Sequence, residues 1–268
     1  TPRSGKNGNV VAEMIGDMVS ELCSKYPTIR LQGIGIASLG PLDYKRGGPT
    51  KPPNLPYVFV SLVLPLQKRF SIPVLLHNDC NAAALGEQRF GAGKKKNNIV
   101  YITISTGIGA GVIIDGRLLL GRSGNAGEIG HTIVDTKYNL ECTCGTGIGH
   151  WEGYASGRNI PRFFRVWSEK NGIYIGTTFS ETKDIFEHAR KGDTIARRFL
   201  DELTMINARG IGNSIVAYDP DVITIGGSVL LNNRSLMLPA MKRNVNHYLK
   251  MPDIRVTPLG HDAGLLGA

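Results

Sequence analysis

Val11, Met14, Ile15, Met18, Val19, Leu22 and Tyr26 recur at steps of three and four residues. This spacing predicts an amphipathic helix, which Pro27 ends. The apolar run 31–37, broken by two glycines, reads as a short buried strand. Residues 39–56 are rich in Gly and Pro and are expected to be loop. A helical stretch near 61–70 leads to a strand at 73–76. That strand runs into His77-Asn78-Asp79-Cys80, and an Ala-rich helix is expected over 81–90.

A second unit starts after Lys94-Lys95-Lys96. Residues 98–105 alternate and are rich in β-branched side chains, so they predict a strand. The glycine-rich stretch 105–111 reads as a turn, and 111–114 as a second strand closed by Asp115-Gly116, a hairpin signal. Residues 121–153 hold eight glycines and little periodicity, so something other than a hydrophobic core is expected to order them. Helices are predicted over 182–191 and 194–218. Asp219-Pro220 breaks the chain, 221–225 is a strand leading into Gly226-Gly227, and a last helix spans about 236–249. Strands alternating with helices indicate an α/β fold, and the chain divides most naturally near 91–97.

Composition narrows the class. Hydrophobic residues make up 41% and charged residues 20%, as in a globular chain and unlike a disordered one. Glycine is abundant, 34 of 268 residues, about twice the usual ~7%. No G-X-Y period accompanies it, which excludes collagen. The net charge of +9 permits nucleic-acid binding. However, the one tight basic run, Lys94–Lys96, has no interleaved aromatics and sits between Gly93 and Asn97-Asn98 like a solvated loop. A basic surface or an anionic small substrate such as a nucleotide fits better. No apolar stretch reaches the ~20 residues of a membrane span, and nothing resembles a signal peptide. Four cysteines make no disulfide framework, so a reduced, cytoplasmic setting is expected.

Three constellations carry chemistry. His131, Cys142, Cys144 and His150 place four nitrogen or sulfur donors within twenty residues, a set that suits tetrahedral zinc. Two free thiols and two unrelated histidines is the other reading of that spacing. Ser105-Thr106-Gly107 and the glycines that follow could cradle phosphate through backbone N–H groups or form a plain hairpin turn. The stretch lacks the Lys-Ser/Thr of a Walker motif, and a strand rather than a helix follows it. Gly226-Gly227 is a second such turn. Asn78-Asp79 closes a strand at the end where ligands gather in open α/β sheets, although Asp is also a favoured helix cap. Glu128, His131 and Glu152 offer further polar groups of the kind that sugar hydroxyls need.

Seven segments carry a resemblance: PPNLP (Pro52–Pro56), PVLLHNDCNAAALGE (Pro73–Glu87), ISTGIGAGVIIDG (Ile104–Gly116), GNAGEIGH (Gly124–His131), CTCGTGIGHWE (Cys142–Glu152), DPDVITIGGS (Asp219–Ser228) and DAGLLGA (Asp262–Ala268). Together they resemble the ROK sugar kinases and regulators, whose fold is that of the hexokinase/actin-like ATPases. The resemblance implies a two-domain, RNase H-like α/β fold with mixed sheets and a zinc-braced loop region. Residues 1–92 would form a small sugar-binding domain and 93–258 a large domain carrying the zinc and nucleotide elements, with a helix in 259–268 returning to the first. It implies Asp79 as catalytic base and Asn54, Asn78, Glu128, His131 and Glu152 as sugar contacts. It also implies His131, Cys142 and Cys144 as zinc ligands, Thr106 and Gly107 at phosphate, and Gly226-Gly227 near adenosine.

The activity implied is phosphorylation of a hexose, glucose at its 6-hydroxyl, by ATP with Mg²⁺. The alternatives are kinases for N-acetylmannosamine, N-acetylglucosamine or fructose, and a sugar-responsive transcriptional regulator. Homodimers or homotetramers would be usual. Two departures stand out. His150 occupies a position where the family usually has Cys, and imidazole is a competent fourth ligand. The family's opening D-x-G-G-T strand pair has no counterpart, and the expectation is that the first strands lie outside this sequence, since their absence would leave a sheet edge open.

Overall fold

A computed structural model describes residues 8–52, 55–174 and 179–268. Helix α1 (Asn9–Lys25) forms as predicted, but its apolar side chains divide. Ala12 is buried, and Val11 and Ile15 pack with it against Leu42, Val60 and Leu62. Met14, Met18, Leu22 and Tyr26 are exposed. The small residues Ala12 and Gly16 turn inward because the Arg69 side chain lies directly over Gly16, leaving no room for a larger residue. The other face of the predicted stripe is uncovered among the described residues.

Strand β1 (Ile34–Ser38) is followed by two short strands in the predicted loop, β2 (Leu42–Asp43) and β3 (Gly48–Pro49), which pair antiparallel. Helix α2 (Val63–Phe70) leads to β4 (Val74–Asn78), which runs parallel to β1 with Ile34 opposite Val74 and Ser38 opposite Asn78. Helix α3 (Asp79–Phe90) starts on the next residue.

The second sheet is mixed. Strands β5 (Ile99–Ile104), β6 (Ile108–Ile114) and β7 (Arg117–Leu118) form an antiparallel meander. Asp115 and Gly116 both have left-handed φ, 50° and 75°, the conformation that a two-residue hairpin demands. A 3₁₀ turn at Ile129–His131 precedes helices α4 (Trp151–Ala155), α5 (Ile160–Lys170), α6 (Thr182–Arg190) and α7 (Thr194–Tyr218). Strand β8 (Val222–Gly226), helix α8 (Ser228–Asn244), strand β9 (Asp253–Val256) and helix α9 (Ala263–Gly267) complete the chain. Strands β8 and β9 run parallel to β5, giving the order β7-β6-β5-β8-β9.

Both faces of this sheet are covered, so its central strands are apolar at nearly every position. Ile99, Tyr101 and Val222 face α3 and α9, packing on Cys80, Ala83, Ala84 and Ala263. Val100, Ile102, Ile104, Ile223 and Ile225 face the larger core of Trp151, Phe163, Phe164 and Phe199. Helix α9 lies on α3 and touches β1. Gly86 and Gly267 permit that approach, because a Cβ on Gly267 would sit 1.7 Å from the Ala82 carbonyl oxygen. Among the described residues no helix is long and apolar enough to cross a membrane.

The segment 121–150 corrects the expectation that it lacks apolar anchors. Ile129, Val134, Tyr138 and Leu140 are buried in the larger core, and the bridges Ile133–His150 and Glu141–Ile148 pin its two arms. The anchors are too irregularly spaced to show a period. Helix α5 was legible in principle, since Ile160, Phe163, Phe164 and Trp167 recur at helical steps. Helix α8 starts at Ser228, earlier than predicted, and bends at Asn233. The bend breaks its periodicity.

Candidate active site

Strand β4 delivers Asn78 and Asp79 to the mouth of a cavity of about 640 Å³. The cap of α3 is Asn78, whose Oδ1 accepts the Cys80 N–H at 2.9 Å. Asp79 is therefore not required as the cap, although one of its oxygens accepts from the same N–H at 2.9 Å. Its carboxylate lines the cavity. Desolvation in the cleft raises the Asp79 pKa, and the Cys80 N–H opposes the rise. Beneath it the Cys80 thiol is held well above its usual range by burial and by the neighbouring carboxylate.

The same cavity is lined by Asn78, Glu128, His131 and Glu152. Burial raises the Glu128 pKa. His131 counters that rise, while Glu152 and Asp79 add to it. Three carboxylates thus share one cleft. Glu152 stands in the first turn of α4, and its Oε2 accepts the Ile108 N–H at 2.9 Å. Helix α4 is fixed from behind. The Trp151 indole donates to Asn207 Oδ1 at 3.0 Å, and its ring occupies the space that a side chain on Gly210 would need. Asn54 lies outside the described residues.

His131, Cys142, Cys144 and His150 come together as the spacing suggested. One ligand atom from each lies within 4.8 Å of all the others. His131 Nδ1 is 3.9 Å from Cys142 Sγ, and His150 Nδ1 is 3.6 Å from Cys144 Sγ. Gly147 makes this possible, because a Cβ there would fall 2.2 Å from His150 Nε2. Burial pushes the Cys142 thiol up to about 11. Burial also opposes ionisation of Cys144, but hydrogen bonds with Thr146 and the contacts to Cys142 and His150 outweigh it and bring that thiol to about 7. Two sulfurs and two imidazoles converging on one point fit a tetrahedral soft cation.

The glycine-rich stretch 105–111 is shorter as a turn than the sequence suggested. Strand β6 begins at Ile108, so only Ser105-Thr106-Gly107 forms the loop, closed by the Ser105 N–H donating to the Gly107 carbonyl at 2.9 Å. Gly111 belongs to the strand and serves packing, since a Cβ on it would meet the Cys80 carbonyl oxygen at 2.1 Å. A second cavity, of about 560 Å³, opens beside Thr106. Gly226 and Gly227 do not line it. Gly227 turns the chain at φ 86° against the Ile104 backbone, and the next residues, Ser228 and Val229, form the wall. The Ser105 and Ser228 hydroxyls meet at 3.0 Å. The opposite wall is one face of α6, Thr182, Lys183, Phe186, Glu187 and Arg190. Sequence reasoning missed these residues because their three- and four-residue steps match any amphipathic helix. Lys51 and Arg158, which line the larger cavity, carried no motif.

The ROK family profile matches residues 4–268. A glucokinase of Pyrobaculum calidifontis is 36% identical over 252 residues, 93% of this chain and 81% of its own. A ROK hexokinase structure from Thermus thermophilus superposes with a TM-score of 0.81 at 32% identity, covering 100% of this chain and 87% of its own. A ROK glucokinase from Streptomyces griseus, solved in complex with glucose and AMPPNP, gives 0.76 at 30% identity, covering 100% and 88%. Two xylose repressors are among the more distant matches. With the profile covering nearly every residue, the chain belongs to the ROK family.

Proposed function

We propose that this protein is an ATP-dependent hexose kinase that phosphorylates glucose at its 6-hydroxyl. One observation carries the reading: Asp79, Glu128, His131 and Glu152 line the same cavity as Thr106 and Gly107, and that cavity meets a second one beyond Thr106. The larger cavity takes the sugar and the second takes the nucleoside. Asn78, Glu128, His131 and Glu152 bind ring hydroxyls, and Asp79 faces the reactive one.

Phosphoryl transfer is mostly positioning and charge neutralisation. The 6-hydroxyl oxygen attacks the γ-phosphorus, the bond to the β-phosphate oxygen of ADP breaks, and Asp79 accepts the hydroxyl proton. A carboxylate of raised pKa is a better acceptor than an ordinary one. The hairpin turn at Thr106-Gly107 holds phosphate, while Glu152 holds that turn through the Ile108 N–H. Mg²⁺ entering with ATP supplies charge neutralisation at the β- and γ-phosphates. His131, Cys142, Cys144 and His150 would hold a structural Zn²⁺, which supplies rigidity. His131, so held, would keep its second nitrogen toward the sugar side. The β1–β4 sheet with its helices and the five-stranded sheet with its helices form the two lobes, and the cleft between them closes on sugar.

A coupled assay of ADP formation over a panel of hexoses and N-acetylhexosamines tests the reading. Turnover with glucose in preference to the others is expected. No ADP with any sugar, accompanied by sugar-dependent DNA binding, would replace it with a regulator.

A further inference from the structure

The two cavities share two lining residues, Thr106 and Arg158. Among the described residues, Arg158 is the cationic side chain that lines both. Lys51 lines the larger cavity alone, and Lys183 and Arg190 the smaller. The cavities join at Thr106 and Arg158, so a nucleotide seated in the smaller one would lead its phosphates past these residues toward Asp79. There it meets the three carboxylates Asp79, Glu128 and Glu152. Bringing a triphosphate toward that cluster is electrostatically unfavourable, and a fixed cation at the junction would offset the charge that Mg²⁺ leaves.

The backbone around Arg158 is built rather than loose. The Gly157 N–H donates to the Ser105 carbonyl at 2.7 Å, tying this turn to the hairpin turn. The Thr182 hydroxyl donates to the Gly157 carbonyl at 2.7 Å. Asn159, 2% exposed, donates to the Ser156 hydroxyl at 2.9 Å and to the Glu152 carbonyl at 3.0 Å. The turn is therefore held to the hairpin, to α6 and to the helix that carries Glu152, while the Arg158 side chain is exposed. Arginine offers a planar fork of donors that matches phosphate oxygens two at a time.

We propose that Arg158 is a phosphate-binding residue that clamps the β- and γ-phosphates of ATP where the nucleotide and sugar cavities meet. This rests on the kinase reading and names the group that spans its two substrates. The full-length protein, Arg158→Gln and Arg158→Lys are compared by calorimetric titration with adenosine, ADP and ATP in the presence of Mg²⁺, and by steady-state kinetics.

For Arg158→Gln the dissociation constants of ADP and ATP and the KM for ATP are expected to rise about 10- to 100-fold. Adenosine affinity and the KM for glucose should stay within about twofold, and Arg158→Lys should recover part of the loss. A glucose-phosphorylating wild type with an Arg158→Gln variant of unchanged ATP affinity overturns this inference alone. Equal loss of adenosine and ATP affinity also overturns it, because that pattern marks a collapsed turn. A wild type that binds no adenine nucleotide overturns the kinase reading and this inference together.

Discussion

His131 Nε2 lies 3.7 Å from Glu128 Oε2, while its Nδ1 faces the Cys142 thiol. One imidazole therefore joins the thiol–imidazole cluster to the cavity. Stripping a bound metal with a chelator is expected to raise the KM for sugar at least tenfold, in line with the losses that follow when an imidazole's outer partners are removed. Adding Zn²⁺ should restore it. Metal content measured alongside the kinetics checks this, and a metal-free protein with unchanged KM would refute the link.

Asp79→Asn keeps the shape and the Cys80 N–H partner but cannot accept a proton. Turnover should fall by about 10²- to 10⁴-fold while the sugar dissociation constant changes little. Near-normal kcat would remove Asp79 from the reaction.

Glu128 is raised by burial and by the two carboxylates near it. A group with a raised folded-state pKa binds its proton more tightly when folded. Its contribution to stability is therefore present at low pH and is lost as pH rises through the folded value. Ionising Glu128 in the folded protein therefore costs stability. Glu128→Gln should raise Tm at pH 7, with the gain shrinking as pH falls through the raised folded value and gone below the ordinary carboxylate range near ~4.3, and should weaken sugar binding. Thermal scans at two pH values test the sign.

Activity should fall on acidification as Asp79 takes up a proton. Because desolvation raises this group, the acidic limb of kcat/KM is expected above the ordinary aspartate value of ~3.9. A limb at or below that value would contradict the geometry.

Gly111 and Gly116 make a controlled pair. A Cβ on Gly111 would strike the Cys80 backbone, whereas nothing lies within 4 Å of one on Gly116. Gly111→Ala should cost about 3 kcal/mol or more through overpacking and displace Asp79 with its helix. Gly116→Ala should cost only about 1 kcal/mol, from left-handed φ alone. Denaturant melts of the two variants provide the comparison.

The four metal-ligand candidates and the Asn78-Asp79 strand end were legible because their chemistry sits in short stretches of chain. The five-stranded sheet was legible in β5, β6 and β8, whose apolar runs are nearly continuous. Strand β9 has only four residues and gave no run to detect. The packing role of Gly111 was hidden because a glycine that admits a helix looks the same in sequence as one that admits a phosphate. The α6 wall of the smaller cavity was illegible for a different reason: it faces the hairpin turn only through tertiary packing across some seventy-five residues of chain. The exposed face of α1 shows the converse limit, since periodicity identifies a stripe without saying what lies opposite it.

His150 and Glu152 are separated by a single residue, Trp151, whose indole is pinned to α7. A disturbance on one side of that rivet is transmitted to the other. Loosening the thiol–imidazole knot would shift the carboxylate that supports the Ile108 amide, and the Ser105–Gly107 loop would sag with it. Removing a metal held by that knot would then impair ATP use as well as sugar binding.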